Sequence, residues 1–482
     1  MNRLLPALLM CVLLSACATL NPPAPPHTDP GSLPAMNATA PQGIDHWWNS
    51  FNDPQLDALI DEALAHNLDL RQAKARLDEA RARYRLARAA RYPDLDLAAS
   101  TSRNRASEIG PNPLPPGFAA STTGYRVSLD LSWELDVWGR VAAATRSADA
   151  AYQASRADTA GAQASLAASL TRSWFQLRSI DAELALAERI LAGREETVQL
   201  IEQRNREGDT GMLEVAQARA ERDSAKAALP PLRQARAQAE SAISVLLGRT
   251  PREVFEPAIT RGRTLDDLAE SPTIPAGLDA DLLTRRPDMI AAEARLLSSE
   301  WQLRAARAAF FPRISLTGLL GYESGELADL ISAPARLGQL ALGAVQPLSG
   351  LASLSAAEDI SAAQLDQNTL AYQAAVVNAF RETHDALVAI REIGALEAAL
   401  HDRFGSLEHA SRLAQLRFEA GYSGYLEVLD SERGRDTSAA ALIEARRDRL
   451  LAIVDLYLAL GGGWSGLPEA GSAANDSTPD SP

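Results

Sequence analysis

The sequence is poor in the residues that build metal sites, disulfides and nucleic-acid interfaces. It has two cysteines, six histidines and two lysines, and 47 basic residues stand against 62 acidic ones, which gives a net charge of −15. Phosphate binding needs a positive surface, so we expect no nucleic-acid partner. The histidines lack carboxylate or thiol companions at ligand spacing, so we expect no metal and no cofactor. No nucleotide-binding loop or nucleophile motif occurs, which argues against an enzyme.

Long hydrophobic runs are also missing. After residue 17 the sequence never has eighteen consecutive apolar residues, so it predicts no transmembrane helix. Hydrophobic residues nevertheless make up 46% of the chain and charged residues 23%, which is the composition of a folded protein. The length of 482 residues exceeds the roughly 150 of a typical single domain, so the chain can build something long.

The N-terminus predicts export and lipid attachment. Arg3 is followed by an apolar stretch from Leu4 to Leu14, which is typical of a signal peptide over residues 1–16 and is too short to span a bilayer. Leu14-Ser15-Ala16-Cys17 resembles the lipobox of bacterial lipoproteins, which implies that Cys17 begins the mature chain and carries acyl groups such as palmitate. An ordinary signal peptide with an incidental cysteine is the alternative. Residues 17–55 would follow as a tether and a belt segment.

The chain contains an internal duplication. Ala73-Lys-Ala-Arg-Leu77 aligns with Ala292-Glu-Ala-Arg-Leu296, and Leu213-Glu-Val215 aligns with Leu426-Glu-Val428. Two such blocks at nearly equal separation indicate a repeated unit of roughly 215 residues. We therefore divide the chain into a first repeat at 56–248, an equatorial linker at 249–286, a second repeat at 287–464 and a disordered tail at 465–482.

Each repeat predicts the same order of elements. A helix at about 67–92 or 287–310 ends at a proline, two strands follow, and a very long helix covers about 140–206 or 351–419. The chain then turns at a pair of glycines and returns through a shorter helix. The return helix is too short to match the long one, so we expect two helices stacked end to end in each return limb. We further expect the C-terminal helix to stack under the N-terminal one.

The strands predict a membrane sheet that needs partners. Tyr125 to Leu135 alternates strictly, with an apolar face that includes Leu131 and a polar face that includes Asp130 and Glu134. Four strands per chain cannot close a barrel, and open edges are not tolerated inside a bilayer. A dimer would give eight strands and a packed interior, whereas a trimer would give twelve strands and a channel. The polar face favours the trimer.

The chain resembles the TolC-like outer-membrane efflux proteins, in their NodT-like lipoprotein branch, over essentially all of residues 17–464. The motifs that carry the resemblance are Trp47-Trp48 with Phe51-Asn-Asp53, Leu135-Asp-Val-Trp-Gly-Arg140, Arg285-Arg-Pro-Asp288, Phe311-Pro-Arg-Ile-Ser-Leu-Thr317, Tyr425-Leu-Glu-Val-Leu-Asp430 and Ala459-Leu-Gly-Gly-Gly-Trp464. The resemblance implies a mainly α fold with a membrane β-barrel. Three chains would form a trimeric 12-stranded β-barrel, four strands per chain, continuous with a long periplasmic α-helical tube.

The resemblance also implies roles for particular residues. The periplasmic tips that meet an adaptor protein would carry Arg204, Gly208, Gly211, Arg417, Gly421 and Gly424. The periplasmic gate would be formed by Leu426, Asp430 and Arg433, which share one helix face. The lumen-facing residues would be Asp130, Glu134 and Asp136, which would favour cations. The alternatives are that the glycines only cap helices, that the gate charges form a surface salt bridge, and that the acidic residues merely tolerate water.

The predicted function is a passive export duct for small toxic compounds in the outer membrane of a Gram-negative cell. It would be lipid-anchored, extend into the periplasm as a homotrimer, and contact outer-membrane lipid. A periplasmic adaptor (membrane fusion) protein and an inner-membrane pump, of the resistance-nodulation-division type, would be its partners. One alternative is the exit duct of a type I secretion system. Another is a lipid-anchored coiled-coil scaffold that forms no pore.

Overall fold

The computed structural model describes residues 44–107, 109, 115, 119–269 and 285–462. The signal peptide, Cys17 and the tail at 465–482 lie outside these residues. The described residues form nine α-helices and four β-strands, preceded by a 3-10 helix at Ile44–Phe51. The first repeat contains α1 (Pro54–His66), α2 (Leu68–Ala89), β1 (Asp94–Arg105), β2 (Ser121–Leu135), α3 (Arg140–Glu207) and α4 (Met212–Leu246). The linker contains α5 (Pro251–Phe255) and α6 (Leu265–Ala269). The second repeat contains α7 (Pro287–Ala308), β3 (Arg313–Ser324), β4 (Arg336–Val345), α8 (Leu351–Glu419) and α9 (Tyr425–Ala459).

The two long helices and all four strands were predicted from the sequence, and the structure confirms them. Helix α3 has 68 residues and α8 has 69, so each is on the order of 100 Å long. None of the α-helices in the described part of the chain is long and apolar enough to cross a membrane. The chain separates into two compact units: the sheet unit holds residues 79–154 and 292–373, and the helical unit holds the rest of the described residues.

The sheet unit contains one antiparallel sheet in the order β1-β2-β3-β4. Each repeat contributes one pair of adjacent strands, and the two pairs meet where β2 lies beside β3. The register aligns Leu97 of β1, Leu129 of β2 and Leu320 of β3 across the sheet. Strands β1 and β4 are its two edges.

The helical unit has its main core around the segments that the sequence assigned to a belt. Trp47 stacks on Tyr457 of α9 with ring centroids 5.3 Å apart, and Phe51 packs edge-on against Phe175 of α3 at 4.8 Å. Asp53 is fully buried, where its carboxylate accepts a hydrogen bond from the Trp174 indole N–H over 2.9 Å. The same carboxylate accepts the backbone N–H of Gln55 and so caps α1. The motif around Trp47 and Asp53 is therefore a packing motif that joins the N-terminal segment to both long hairpins.

The end-to-end stacking of helices is present, but the predicted pairing was wrong. The Asn67 side-chain amide, between α1 and α2, donates to the backbone carbonyl of Leu246 at the end of α4 over 2.8 Å. In the second repeat, the Arg286 guanidinium just before α7 donates to the carbonyl of Ala459 at the end of α9 over 2.9 Å. Each return helix thus meets the shorter helix of its own repeat. The expected exchange between repeats does not occur, because Asn67 and Arg286 pair with the carbonyls inside their own halves.

Candidate functional site

The sheet has one apolar face, and the strand register now defines it across all four strands. On β2 this face carries Val127, Leu129 and Leu131, which pair with Tyr322, Leu320 and Gly318 of β3. The outer strands add Leu95, Leu97, Leu340 and Leu342. Many of these side chains are exposed in the single chain, Leu97 by 78% and Leu340 by 72%. A continuous apolar surface of this kind needs lipid or another protein to cover it.

Aromatic residues bound the apolar face at both ends. Tyr125 and Tyr322 lie toward the end that carries the β1–β2 loop, and Trp133 lies toward the end where the helices begin. Tyr125 and Trp133 are eight positions apart on one face, which is about 26 Å along a strand. Strands of membrane barrels are tilted by about 35–45°, so this length spans about 20 Å of the membrane normal, most of the apolar band of about 25 Å, flanked by aromatic girdles, that such barrels present to lipid. The Trp133 indole N–H donates to the carbonyl of Arg91 over 3.1 Å, as a tryptophan at a membrane boundary does.

The opposite face of the sheet is polar and mainly acidic on β1 and β2, whereas on β3 and β4 it also carries Leu319, Leu337 and Val345. Asp130 of β2 lies directly opposite Asp96 of β1, and Ser132 lies opposite Asp94. Arg126 lies opposite Glu323 of β3, so that pair is electrically balanced. Asp94 and Asp96 were not assigned to this face from the sequence, because only the β1–β2 register shows which side of the sheet they share. Their charges add to that of Asp130.

Glu134 and Asp136, the other two predicted lumen residues, are bound by groups of their own chain. The Arg140 guanidinium donates to both carboxylate oxygens of Glu134, at 2.9 and 2.7 Å. The Asp136 carboxylate accepts the backbone N–H groups of Val141 and Ala142, at 2.8 and 2.7 Å, and so caps the N-terminus of α3. Their negative charge is therefore partly neutralised at the junction between strand and helix, whereas Asp130 stands away from the helix end.

The two helical turns that were predicted as periplasmic tips have the same geometry. Gly208 and Gly421 have φ values of +85° and +77°, the left-handed conformation that ends a helix. In each turn the carbonyl of an arginine in the last turn of the helix accepts a hydrogen bond: Asp209 N–H donates to Arg204 and Tyr422 N–H donates to Arg417. Gly211 and Gly424 are the N-cap residues of α4 and α9. The glycines are thus helix caps in both repeats.

The tips of the two repeats pack together within the helical unit. The Arg204 guanidinium lies over the Phe418 ring, 4.6 Å from its centroid, and Arg417 pairs with Glu427 at 3.3 Å. Beneath them a small core contains Val198, Ile201, Val215, Ala218, Phe418, Tyr425, Val428 and Leu429. Three apolar side chains at the tips are exposed, namely Met212, Leu213 and Tyr422, by 66%, 66% and 80%. Met212 and Tyr422 could not be identified from the sequence, because nothing in their local pattern distinguishes an exposed tip from a buried turn.

The three predicted gate residues lie on the exposed face of α9. Leu426 is 64% exposed, and Asp430 and Arg433 are also exposed. Arg433 forms a short ion pair with Glu221 of α4, which raises the pKa of Arg433 further, and Asp430 makes a smaller contribution in the same direction. The structure therefore ties Arg433 to the first repeat, a partner that the sequence did not suggest.

A second ion-pair network holds α9 against α3. Arg194 is 5% exposed and forms a close ion pair with Glu432 and another with Asp436, 3.0 Å away. A cavity of about 300 Å³ adjoins this network. The partners are separated by more than 230 residues, so spacing in the sequence gave no signal for them. Helix α9 is thus fastened to two helices of the first repeat by buried and exposed charges.

Among the described residues, no cluster of His, Cys, Asp and Glu side chains could hold a metal ion. The features that remain are a two-faced sheet with open edges and long helical hairpins with matched tips. These are the parts of a membrane channel that extends into a neighbouring compartment.

Comparison with known proteins identifies the class. A family model described as outer membrane efflux protein matches residues 59–249 and 279–462, once in each repeat. Outer membrane protein OprJ of Pseudomonas aeruginosa is 36% identical over 479 residues, which cover 95% of each chain. The probable efflux pump outer membrane protein TtgC of Pseudomonas putida is 33% identical over 437 residues, which cover 90% of this chain and 88% of TtgC. The solved structure of the outer-membrane channel OprN is 29% identical with a TM-score of 0.80, covering 90% of this chain and 99% of that one.

The chain belongs to the outer membrane efflux protein family. It is an outer-membrane component of an efflux system, as the sequence predicted. The predicted fold class, mainly α-helical with four strands of a membrane barrel per chain, is also confirmed.

Proposed function

We propose that three copies of the chain form a passive export duct across the outer membrane, which an inner-membrane pump drives through a periplasmic adaptor. The observation that carries this proposal is the sheet, which has one apolar face, one acidic face and two unpaired edges. An edge strand inside a bilayer leaves its N–H and C=O groups without water or partners, which costs several kcal/mol per group. Pairing β1 of one copy with β4 of the next removes every edge.

The side chains that would face the interior of the barrel indicate how many copies form it. Two copies would give eight strands, whose interior is filled by side chains. The polar face of this sheet carries Asp94, Asp96 and Asp130, which would be costly to pack without water. Twelve strands from three copies leave room for a wet lumen. A ring of these carboxylates favours cations and repels anions, whose passage would be slower.

The tips support docking of a protein partner. Met212, Leu213 and Tyr422 expose apolar surface beside Arg204 and Arg417, and aromatic and arginine side chains are enriched where proteins bind. The partner in this proposal is a periplasmic adaptor. The sequence contains no nucleotide-binding loop, so an external source of energy is part of this proposal. The pump in this proposal is of the resistance-nodulation-division type. The chain would perform no catalysis.

Acylation of Cys17 would attach the chain to the membrane at a second point. The Leu14-Ser15-Ala16-Cys17 motif supports acylation of this cysteine, and more than one acyl chain gives stable anchoring. Labelling with a radioactive fatty acid should disappear in Cys17→Ser, and persistent labelling would contradict the assignment.

Accumulation of a fluorescent efflux substrate in living cells tests the proposal. Cells that lack the chain should retain the dye, and the intact chain should restore its export. Leu213→Ser together with Tyr422→Ser should abolish export while the protein remains in the outer membrane. Arg222→Gln, at a partly exposed residue of α4, the helix that contains Leu213, is the matched control and should export normally. Unchanged dye retention with and without the intact chain would overturn the proposal.

A further inference from the structure

A cavity of about 480 Å³ lies in the sheet unit just beyond the strand ends. It is bounded by the start of α3, the second half of α7 and one residue of α8. Trp138 and Phe311, which flank the ends of β2 and β3, stack at the end of the cavity nearest the strands, with ring centroids 4.9 Å apart. The Trp138 indole N–H donates to the carbonyl of Pro312 over 2.8 Å, which fixes this ring beside the sheet.

Farther from the strands, two guanidinium groups in the cavity lining lie against a third aromatic ring. Arg146 of α3 and Arg304 of α7 both lie over the Trp301 ring, 4.6 and 4.5 Å from its centroid. One indole thus holds two cations from two different helices. Stacking on an aromatic ring leaves the in-plane N–H groups of a guanidinium able to bind an anion.

The lining carries an excess of positive charge. It includes three arginines, Arg146, Arg304 and Arg307, and one carboxylate, Glu300. Arg307 also pairs with Glu358 of α8, which lies outside the lining. Burial lowers the pKa of Arg304, and the like charge of Arg146 lowers it further against the opposing effect of Glu300. An anion in the cavity would relieve that unfavourable charge.

The cavity lies on a different side of α3 from Arg140, the residue that meets the acidic face of the sheet. Arg140 reaches Glu134, which stands on the polar face of the sheet. Arg146 follows Arg140 by six residues, which is about 240° around an α-helix. The two arginines therefore point about 120° apart, and the cavity lies just beyond the strand ends, where Trp133 also lies. In a membrane-inserted sheet this is the depth of lipid headgroups.

We propose that this cavity binds the phosphate-bearing headgroup of an anionic phospholipid in the leaflet that meets the strand ends. Arg146 and Arg304 would hold the phosphate by charge-assisted hydrogen bonds, and Trp138 and Phe311 would pack against the glycerol and the first acyl carbons. Basic pockets beside membrane segments recognise lipid headgroups by the same chemistry. The site would anchor the junction between strands and helices at a fixed depth. This inference rests on the proposed membrane function of the sheet.

Native mass spectrometry of the detergent-purified, delipidated protein tests this site. Added phosphatidylglycerol should bind to the assembled protein in a saturable manner, and phosphatidylcholine and inorganic phosphate should bind at least tenfold more weakly. Arg146→Gln with Arg304→Gln should weaken phosphatidylglycerol binding about tenfold or more. Trp301→Leu should weaken it as well, because the platform for both guanidinium groups is lost. Arg83→Gln, an exposed arginine of α2 in the same unit, is the control and should bind as the unchanged protein does.

Each result decides between two accounts. Equal binding of phosphatidylglycerol by the double variant and the control would overturn the lipid site, as would binding of inorganic phosphate with the same affinity. The same spectra report the assembled mass, so only assembled variants are compared. A protein that conducts in planar bilayers but shows no lipid selectivity would contradict this inference alone. A protein that does not insert into bilayers would contradict the proposed function.

Discussion

The Arg286 guanidinium and the Ala459 carbonyl, 2.9 Å apart, join the start of the second repeat to its end. Asn67 and Leu246 form the equivalent bond in the first repeat, over 2.8 Å. At both junctions a side chain before the shorter helix satisfies a carbonyl that the return helix leaves without a partner. Each repeat therefore closes on itself, which is what a duplicated unit needs if its ancestor folded as a separate chain.

Arg286→Met should weaken the second junction. Burial alone would lower the pKa of Arg286, but hydrogen bonds with Asp288 and Glu382 outweigh that effect and raise it. Without the guanidinium, the two carboxylates and the Ala459 carbonyl lose a hydrogen-bond donor. Because the carboxylates remain half exposed to water, we expect the free energy of unfolding to fall by only about 2 kcal/mol. The thermal midpoint of the detergent-solubilised protein measures the loss. Arg381→Met, beside the same Glu382 but exposed, should leave the midpoint nearly unchanged.

Gly248→Ala should destabilise the protein far more than Gly421→Ala. Both glycines have positive φ, +71° and +77°, so each alanine costs about 1–2 kcal/mol in backbone strain. A Cβ at Gly248 would also lie 2.3 Å from the His66 carbonyl oxygen, whereas one at Gly421 would have nothing within 4 Å. The yield of folded protein and its thermal midpoint should both fall strongly for Gly248→Ala and only by the smaller effect of backbone strain for Gly421→Ala. Equal effects would show that the first junction is not closely packed.

Local patterns in the sequence predicted the elements, and the duplication predicted their order. Alternation over Tyr125 to Leu135 and the prolines at 93 and 312 fixed strand faces and helix ends, because both depend on near neighbours. The pairing of helix ends was not predictable in this way. Asn67 and Leu246 are 179 residues apart, and the choice between Leu246 and Ala459 depends on geometry that composition does not encode. For the same reason Glu221 and Arg194 were missed as partners of α9.

If Leu426, Asp430 and Arg433 form the proposed periplasmic gate, removing charges between α9 and α4 should favour its open state. We expect Glu221→Gln and Arg433→Met each to remove a partly exposed pair worth about 0.5 kcal/mol per chain. Three such losses in a trimer would shift the ratio of open to closed channels about tenfold, and the conductance in planar bilayers would rise accordingly. Replacing Asp430 and Arg433 together by alanine should have at least this effect.

The paired variants also provide an internal check on the gate. Because Glu221 and Arg433 act as one pair, the double variant should conduct no more than either single variant. Arg222→Met, which removes a guanidinium bound to its neighbour Asp223, should conduct as the unchanged protein does. Unchanged conductance in every variant would mean that the gate lies elsewhere.

Asp57→Asn should stabilise the protein at neutral pH and not at acidic pH. Burial raises the pKa of Asp57, and the nearby carboxylates of Asp53 and Asp61 raise it further. A carboxyl whose pKa is raised on folding binds its proton more tightly in the folded state, so stability is lost as the pH rises through the raised pKa. Asparagine does not ionise, so Asp57→Asn removes this loss of stability. Thermal midpoints of the two proteins should coincide near pH 3 and separate in favour of Asp57→Asn at pH 7; a gain that persists at pH 3 would contradict the electrostatic explanation.

If the sheet edges of three copies close one barrel, disulfide bonds between β1 of one copy and β4 of the next should link all three copies covalently. Three proteins are made, each with Cys17→Ser and with Leu97→Cys in β1. Each also carries one cysteine substitution in β4, namely Gly338→Cys, Leu340→Cys or Leu342→Cys. All of these strand positions lie on the apolar face. After oxidation, denaturing gels should show at least one combination in which the bands end at a covalent trimer. Leu97→Cys alone should give no trimer. Bands that stop at a dimer, continue beyond three copies, or never leave the monomer would contradict the twelve-stranded duct.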